Sequence, residues 1–265
     1  MSMGIKKKQK LMLGVGTAFA LLVSIVSLAP FAYVLFCSFF REDAGFSLLS
    51  YYDVFLGSAQ YLNRFWVSLG ICLCIALGQL LVSILAGYGF AKIKFPGSDL
   101  LFFCTMIIML LPIQVTLVPN YIMLDNLKLL NTYAALILPA VFAPLGTFIL
   151  TQSFRSIPDS IIDAAMLDGC GIPRILVSIA SPMNKSGLVC TLLLSFLDGW
   201  NMVEQPIAYL KDFESYPLSV ALAYAPPADP SIQLVCCVLA AFPPLFLFTC
   251  FNKELVEGIT LAEVK

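Results

Sequence analysis

Apolar runs separated by short polar gaps dominate the chain. Six of them reach span length, at about 12–39, 66–91, 99–118, 132–154, 186–207 and 231–252. A helix needs roughly 20 apolar residues to cross a hydrocarbon core of roughly 30 Å. Helices are the expected form, because lipid offers no partners to open backbone groups. The pattern predicts an all-α polytopic membrane protein with six transmembrane helices in a single domain, 1–265. Pro112, Pro139, Pro144, Pro243 and Pro244 fall inside these runs. Each removes a backbone donor and is expected to kink its helix where neighbours or a cavity take up the freed group. The first run follows a basic start, KKKQK, and is far longer than the roughly 7–15 apolar residues of a cleaved leader, so it reads as a retained span.

Charge orients the spans. Of the 15 Lys and Arg residues, only Arg41, Arg64, Lys128 and Lys211 fall outside if both termini are cytoplasmic. That bias fits the positive-inside rule. The longest inner gap is then 155–185, RSIPDSIIDAAMLDGCGIPRILVSIASPMNK. Pro158 suits a helix start, and Asp159 suits a first turn. Ile161, Ile162, Ala164, Ala165 and Leu167 build a short amphipathic helix that Gly169 ends in a left-handed cap. A second short helix is expected from about Ile172 to Ala180, stopping before Pro182. The cytoplasmic gap thus reads as two short helices around a glycine corner.

Composition narrows the function. The chain is 60% hydrophobic and 12% charged, about half the charge of a soluble domain. A net charge of −1 gives no basic surface for nucleic acid. There are nine cysteines and no histidine, and no CxxC pair, so a mixed Cys/His zinc site is excluded and no metal site is expected. The cysteines in the apolar runs read as small packing residues. The chain holds no G-x-x-x-x-G-K-[ST] phosphate loop, so ATP is not held that way and energy must come from a partner. General acid–base groups are sparse, which ranks a membrane enzyme low.

Intramembrane acids cost roughly 2.5–3.5 kcal/mol each on insertion scales. Asp198 and Glu204 stand in the fifth span, LLLSFLDGWNMVEQPIAYL. On one continuous helix, Asp198, Asn201, Glu204 and Gln205 share an arc of about 120°. Counted from Ser186, Asp198 stands about 18 Å and Asn201 about 22 Å into the membrane. With Trp200 beside them, these residues either line a path for a polyhydroxyl solute or form a polar seam against another chain. The outer segment 208–230 is either a gate or an interfacial loop with its aromatics at headgroup level.

The inner gap also carries a motif. Asp163-Ala164-Ala165 is followed after three residues by Gly169, after nine more by Ile179, and then by Ser181-Pro182. This resembles the E-A-A-x3-G-x9-I-x-L-P loop of binding-protein-dependent ABC import permeases, with Asp163 in place of Glu and Ser181 in place of Leu. AGYGFAKIKFPG (86–97), LLPIQVTLVPNYIMLDNLKLLNTYAALILP (110–139), SFLDGWN (195–201) and KELVEGITLAEVK (253–265) resemble the carbohydrate branch of the same family, the maltose-transporter type.

The resemblance implies a type I ABC importer permease fold with a cytoplasmic coupling helix, in a bacterial or archaeal cell membrane among its lipids. It implies a second permease as pseudo-twofold partner, two ATPase subunits that bind ATP and Mg, and an external solute-binding protein. This chain would hold no cofactor and carry no catalytic residue. Asp163, Ala164, Ala165, Asp168, Gly169 and Arg174 would meet the ATPase, with Ala164 and Ala165 as a small-residue docking face. Gly258, Thr260 and Lys265 of the tail 253–265 would reach the same partner. The solute would be a carbohydrate. An ion-coupled secondary transporter using Asp198 and Glu204, or an ABC permease for another solute, is the rival expectation.

Overall fold

The computed structural model describes residues 2–41, 45–57, 59–224 and 230–263. Two compact units emerge, Met1–Tyr61 with Pro226–Leu239, and Leu62–Ala225 with Ala240–Lys265.

In the first unit, α1 (Ser2–Cys37) runs unbroken through Pro30. None of its stretch Gly16–Cys37 is buried, and Phe19 and Phe31 stand out from it. A helix apolar all round needs lipid or another chain around it. Beyond it β1 (Phe40–Arg41) pairs antiparallel with β2 (Gly45–Phe46). Next, α2 (Leu49–Tyr52) passes into a π-helical turn, Asp53–Gly57. The Ser38 and Tyr51 hydroxyls meet at 2.8 Å, fixing the end of α1 to α2.

The second unit is organised by α3 (Ala59–Lys92). Then follow α4 (Ser98–Met109) and α5 (Ile113–Asn126), bent by 104° against each other. Pro112 is extended at the bend (ψ 143°), so the expected third span turns there. The fourth run is also divided, into α6 (Ala134–Val141) and α7 (Pro144–Arg155). Ala143 is extended, as a residue before proline tends to be, and Pro144 opens α7 where its missing N–H is harmless. The buried Gln79 amide of α3 donates to the Ala143 carbonyl at 3.1 Å, so the break is not left unpaired.

The inner gap folds as α8 (Asp159–Leu167), α9 (Ile172–Ile175), a π turn Leu176–Ala180 and α10 (Ser181–Met183). After an 86° bend, α11 (Lys185–Trp200) begins, followed by α12 (Glu204–Tyr209) and α13 (Leu218–Tyr224). Last comes α14 (Pro230–Glu263), kinked at Phe251. It carries helix well past 252, so the polar tail is helical through Glu263.

Helices α3, α7 and α11 approach through small residues. A Cβ on Gly146 would run into the Ser83 hydroxyl and stand 2.9 Å from Thr191 Cγ2. Close backbone approach of this kind replaces the hydrophobic drive that lipid removes. At the inner end, Tyr88, Leu150, Phe154, Ile162 and Ile175 form one buried cluster, so the inner gap is packed onto the helix bundle.

Candidate functional site: a helical corner and a broken span

The corner closes on a Schellman cap. Gly169 is left-handed (φ +79°), the Gly169 N–H donates to Met166 O at 3.0 Å, and the Cys170 N–H donates to Ala165 O at 3.0 Å. No heavy atom lies within 4 Å of a Cβ placed on Gly169, so the backbone angle alone demands glycine.

Burial divides the motif. Ile162 and Ala165 face inward, while Asp163, Ala164 and Asp168 are exposed. The expected paired face of Ala164 and Ala165 is therefore split: Ala165 packs against the bundle and only Ala164 is presented. The outer surface instead carries Leu167, 89% exposed, with Met166, Ile172 and Val177 also outside and Arg174 among them. Leu167 counts among the apolar residues of the amphipathic helix, yet a helical projection puts it about 140° from Ile162, off the packed face.

Lys92 anchors the corner. It ends α3, is 5% exposed at its side chain, and donates to Ile157 O at 2.5 Å and Asp159 Oδ1 at 2.6 Å. The hydrogen bond from Lys92, and next its charge, hold the Asp159 carboxyl below its ordinary range. Residues 65 positions apart meet here, so no local pattern announced the pair.

The second short helix outlasts its expected end. The π turn Leu176–Ala180, with Ser181 N–H bonded to Leu176 O, loosens the coil before Pro182, and helix continues to Met183. Asn184 (4% exposed) then breaks it, accepting a hydrogen bond from the Ser153 hydroxyl of α7.

The fifth run is not one helix. It stops at Trp200, with Asn201–Val203 non-helical before α12. The arc drawn for Asp198, Asn201, Glu204 and Gln205 on a continuous helix is corrected accordingly. Asp198, Asn201 and Glu204 remain exposed and Gln205 is half-buried. Gln114 of α5 donates to Glu204 Oε1 at 2.8 Å, and Ser219 donates to Met202 O at 2.8 Å, so other elements satisfy the break. Trp200 is also corrected: it is 7% exposed, packed on Phe65 and Phe196, and offers no face to a sugar.

Asn131, left-handed at φ +60°, clamps the outer segment. Its backbone N–H donates to Tyr209 O at 2.9 Å, its amide donates to Asp212 Oδ2 at 3.0 Å, and its Oδ1 accepts from Lys211 N at 3.0 Å. Arg64 stacks over Phe213 at 4.4 Å. Residues 225–229 of that segment lie outside the described residues, as does Lys265. Thr260 lies in α14. Gly258 is buried against Cys190 and Ser186 of α11, which makes it a helix contact rather than an open docking residue. No group of three or more potential metal ligands occurs among the described residues.

The arabinooligosaccharides transport system permease protein AraQ of Halalkalibacterium halodurans is 29% identical over 229 residues, covering 84% of this chain and 81% of that protein. The sn-glycerol-3-phosphate transport system permease protein UgpE of Brucella melitensis is 26% identical over 203 residues, 75% and 72% of the two chains. A crystal structure of a bacterial ABC transporter involved in the import of the acidic polysaccharide alginate shares the fold, with a TM-score of 0.81 over 91% of this chain and 96% of the other at 18% identity. Residues 79–253 match the family described as "Binding-protein-dependent transport system inner membrane component", and this chain belongs to that family.

Proposed function

We propose that the chain forms one half of the membrane path of an ATP-driven carbohydrate importer. A second permease supplies the other half, with both termini of this chain in the cytoplasm. Two ATPase subunits, which hold ATP and Mg, dock on the corner at 159–174, and an external binding protein delivers the solute. The observation that carries this reading is the build of the corner. A capped helix fastened to the bundle by Ile162, Ala165 and Lys92 presents Leu167 and Met166 to the outside, rimmed by Asp163, Asp168 and Arg174. Several large apolar side chains, Met166, Leu167, Ile172 and Val177, left exposed on one rigid mount suit a docking surface.

The exposed polar set Asp198, Asn201 and Glu204 belongs beside the path or the partner permease, since lipid would penalise it. Carboxylates and amides suit sugar hydroxyls. The two acids repel an anion such as glycerol phosphate, which favours a neutral oligosaccharide. The test is reconstitution of the chain with its second permease, ATPase and binding protein in liposomes. Uptake of labelled arabino-oligosaccharides that requires internal ATP supports the proposal. Uptake by the lone chain under an ion gradient overturns it, and uptake of sn-glycerol 3-phosphate alone overturns the choice of solute.

A further inference from the structure

Pro243 and Pro244 interrupt the hydrogen-bond ladder of α14 within the membrane. Proline has no N–H, so Pro244 cannot donate to the carbonyl four residues back, which is that of Ala240. A carbonyl without a partner at that depth costs several kcal/mol. The Trp200 indole Nε1–H donates to this carbonyl at 3.0 Å. We infer that Trp200 is a positioning residue: its indole supplies the donor that Pro244 withholds and latches the end of α11 to α14 beside the Pro243–Pro244 pair.

The latch has a counterpart. At the other end of α11, the Ser186 hydroxyl donates to Glu257 Oε2 at 2.9 Å, and Gly258 lies against Cys190. The two antiparallel helices are thus tied at both ends, 14 residues apart on α11 (200 − 186) and 17 on α14 (257 − 240). The ties hold α11 against both arms of α14, one on either side of the Phe251 kink, so α11 is the continuous strut of the pair. Its inner end starts beside Asn184, where the corner stops, and its other end reaches the break at Asn201–Val203. Displacement of the corner is therefore delivered along α11 to the exposed Asn201 and to the break before Glu204. This transmission rests on the permease reading; the latch itself does not.

The experiment is a double-mutant cycle in the assembled transporter. Trp200→Phe keeps the ring and removes the N–H. Pro244→Ala returns a backbone donor to Ala240. The thermal midpoint should fall for Trp200→Phe, and much less for Trp200→Phe added to Pro244→Ala. With labelled arabino-oligosaccharides as probe, the maximal uptake rate should fall roughly tenfold for the single variant with KM unchanged, and Pro244→Ala should restore it.

The chain has two tryptophans, so Trp66→Phe isolates the Trp200 indole for ultraviolet resonance Raman. A hydrogen-bonded N–H signal that weakens on Pro244→Ala supports the latch. An indole signal that is free in the parent, or a Trp200→Phe defect that Pro244→Ala leaves unchanged, overturns it. If the parent imports none of the probe, the solute reading fails, and the Raman and stability results still decide the latch.

Discussion

The corner at Gly169 and the break in the fifth span are both places where a helix stops, but they stop for different reasons. At the corner, the stop is local. Gly169 takes the left-handed angle, two backbone bonds close the cap, and Pro173 opens the next helix. At the break no positive φ occurs, since Asn201 lies at φ −89° and Val203 at φ −127°, but Pro206 in the first turn of α12 withholds the N–H that Met202 O would accept. The break is held by partners far away in sequence: Gln114 on Glu204, Ser219 on Met202, and Ala240 on Trp200. A stop written locally gives a rigid lever. A stop held by neighbours gives a joint that can respond when they move.

The largest expected effect breaks the local stop. Gly169→Pro fixes φ near −65°, against the required left-handed angle. We expect loss of ATP hydrolysis coupled to transport, with membrane insertion intact, measured as binding-protein-stimulated ATPase activity. Because the space around Gly169 is open, Gly169→Asn should retain most activity while Gly169→Val should lose it, a left-handed penalty of roughly 1–2 kcal/mol.

Lys92→Ala should come next. It leaves the Ile157 carbonyl and the Asp159 carboxylate without their shared donor, at roughly 1–3 kcal/mol for the buried partner. Faster hydrogen exchange across 157–168, with the break unaffected, would sharpen the contrast between the two regions.

On the other side, Glu204→Ala frees Gln114 at an exposed site, so stability should change by no more than about 0.5 kcal/mol. Uptake KM should nonetheless shift, and so should that of Asn201→Ala; unchanged kinetics in both would remove the break from the path.

The smallest effect is a pH response. The Asp159 carboxyl is held below its ordinary range by Lys92. Its contribution is therefore complete above the unfolded carboxyl pKa, about 3.9, and is lost as pH falls through the lower folded value. Protection from exchange at 157–168, the intrinsic rate over the observed rate, should be flat from neutral pH to about 5 and fall only below that range, and Asp159→Asn should abolish the fall.

The same contrast explains what could be read beforehand. Apolar runs marked the spans, and the spacing from Asp163 to Gly169 and Pro182 marked the corner, because both are local patterns. Among the described residues, four helices are long and apolar enough to span, and two bent pairs supply the remaining candidates. The bend at Pro112 and the break before Pro144 were foreshadowed by proline. The end of α11 was foreshadowed only by Pro206, six residues past Trp200, and the far partners that hold the break left no local mark. Trp200 misled for the same reason: an aromatic ring beside acids suggests a sugar platform until Ala240 is seen to accept its N–H. Lys92 gave the least warning, since its partners lie beyond an entire helical hairpin.

Whether the corner receives the ATPase is decided most directly by Leu167, whose side chain is nearly free of intramolecular contact. Leu167→Asp should leave the permease folded, with an unchanged thermal midpoint when purified alone, while affinity for the ATPase subunit falls at least about tenfold. Undiminished binding of the ATPase by this variant would contradict docking at the corner.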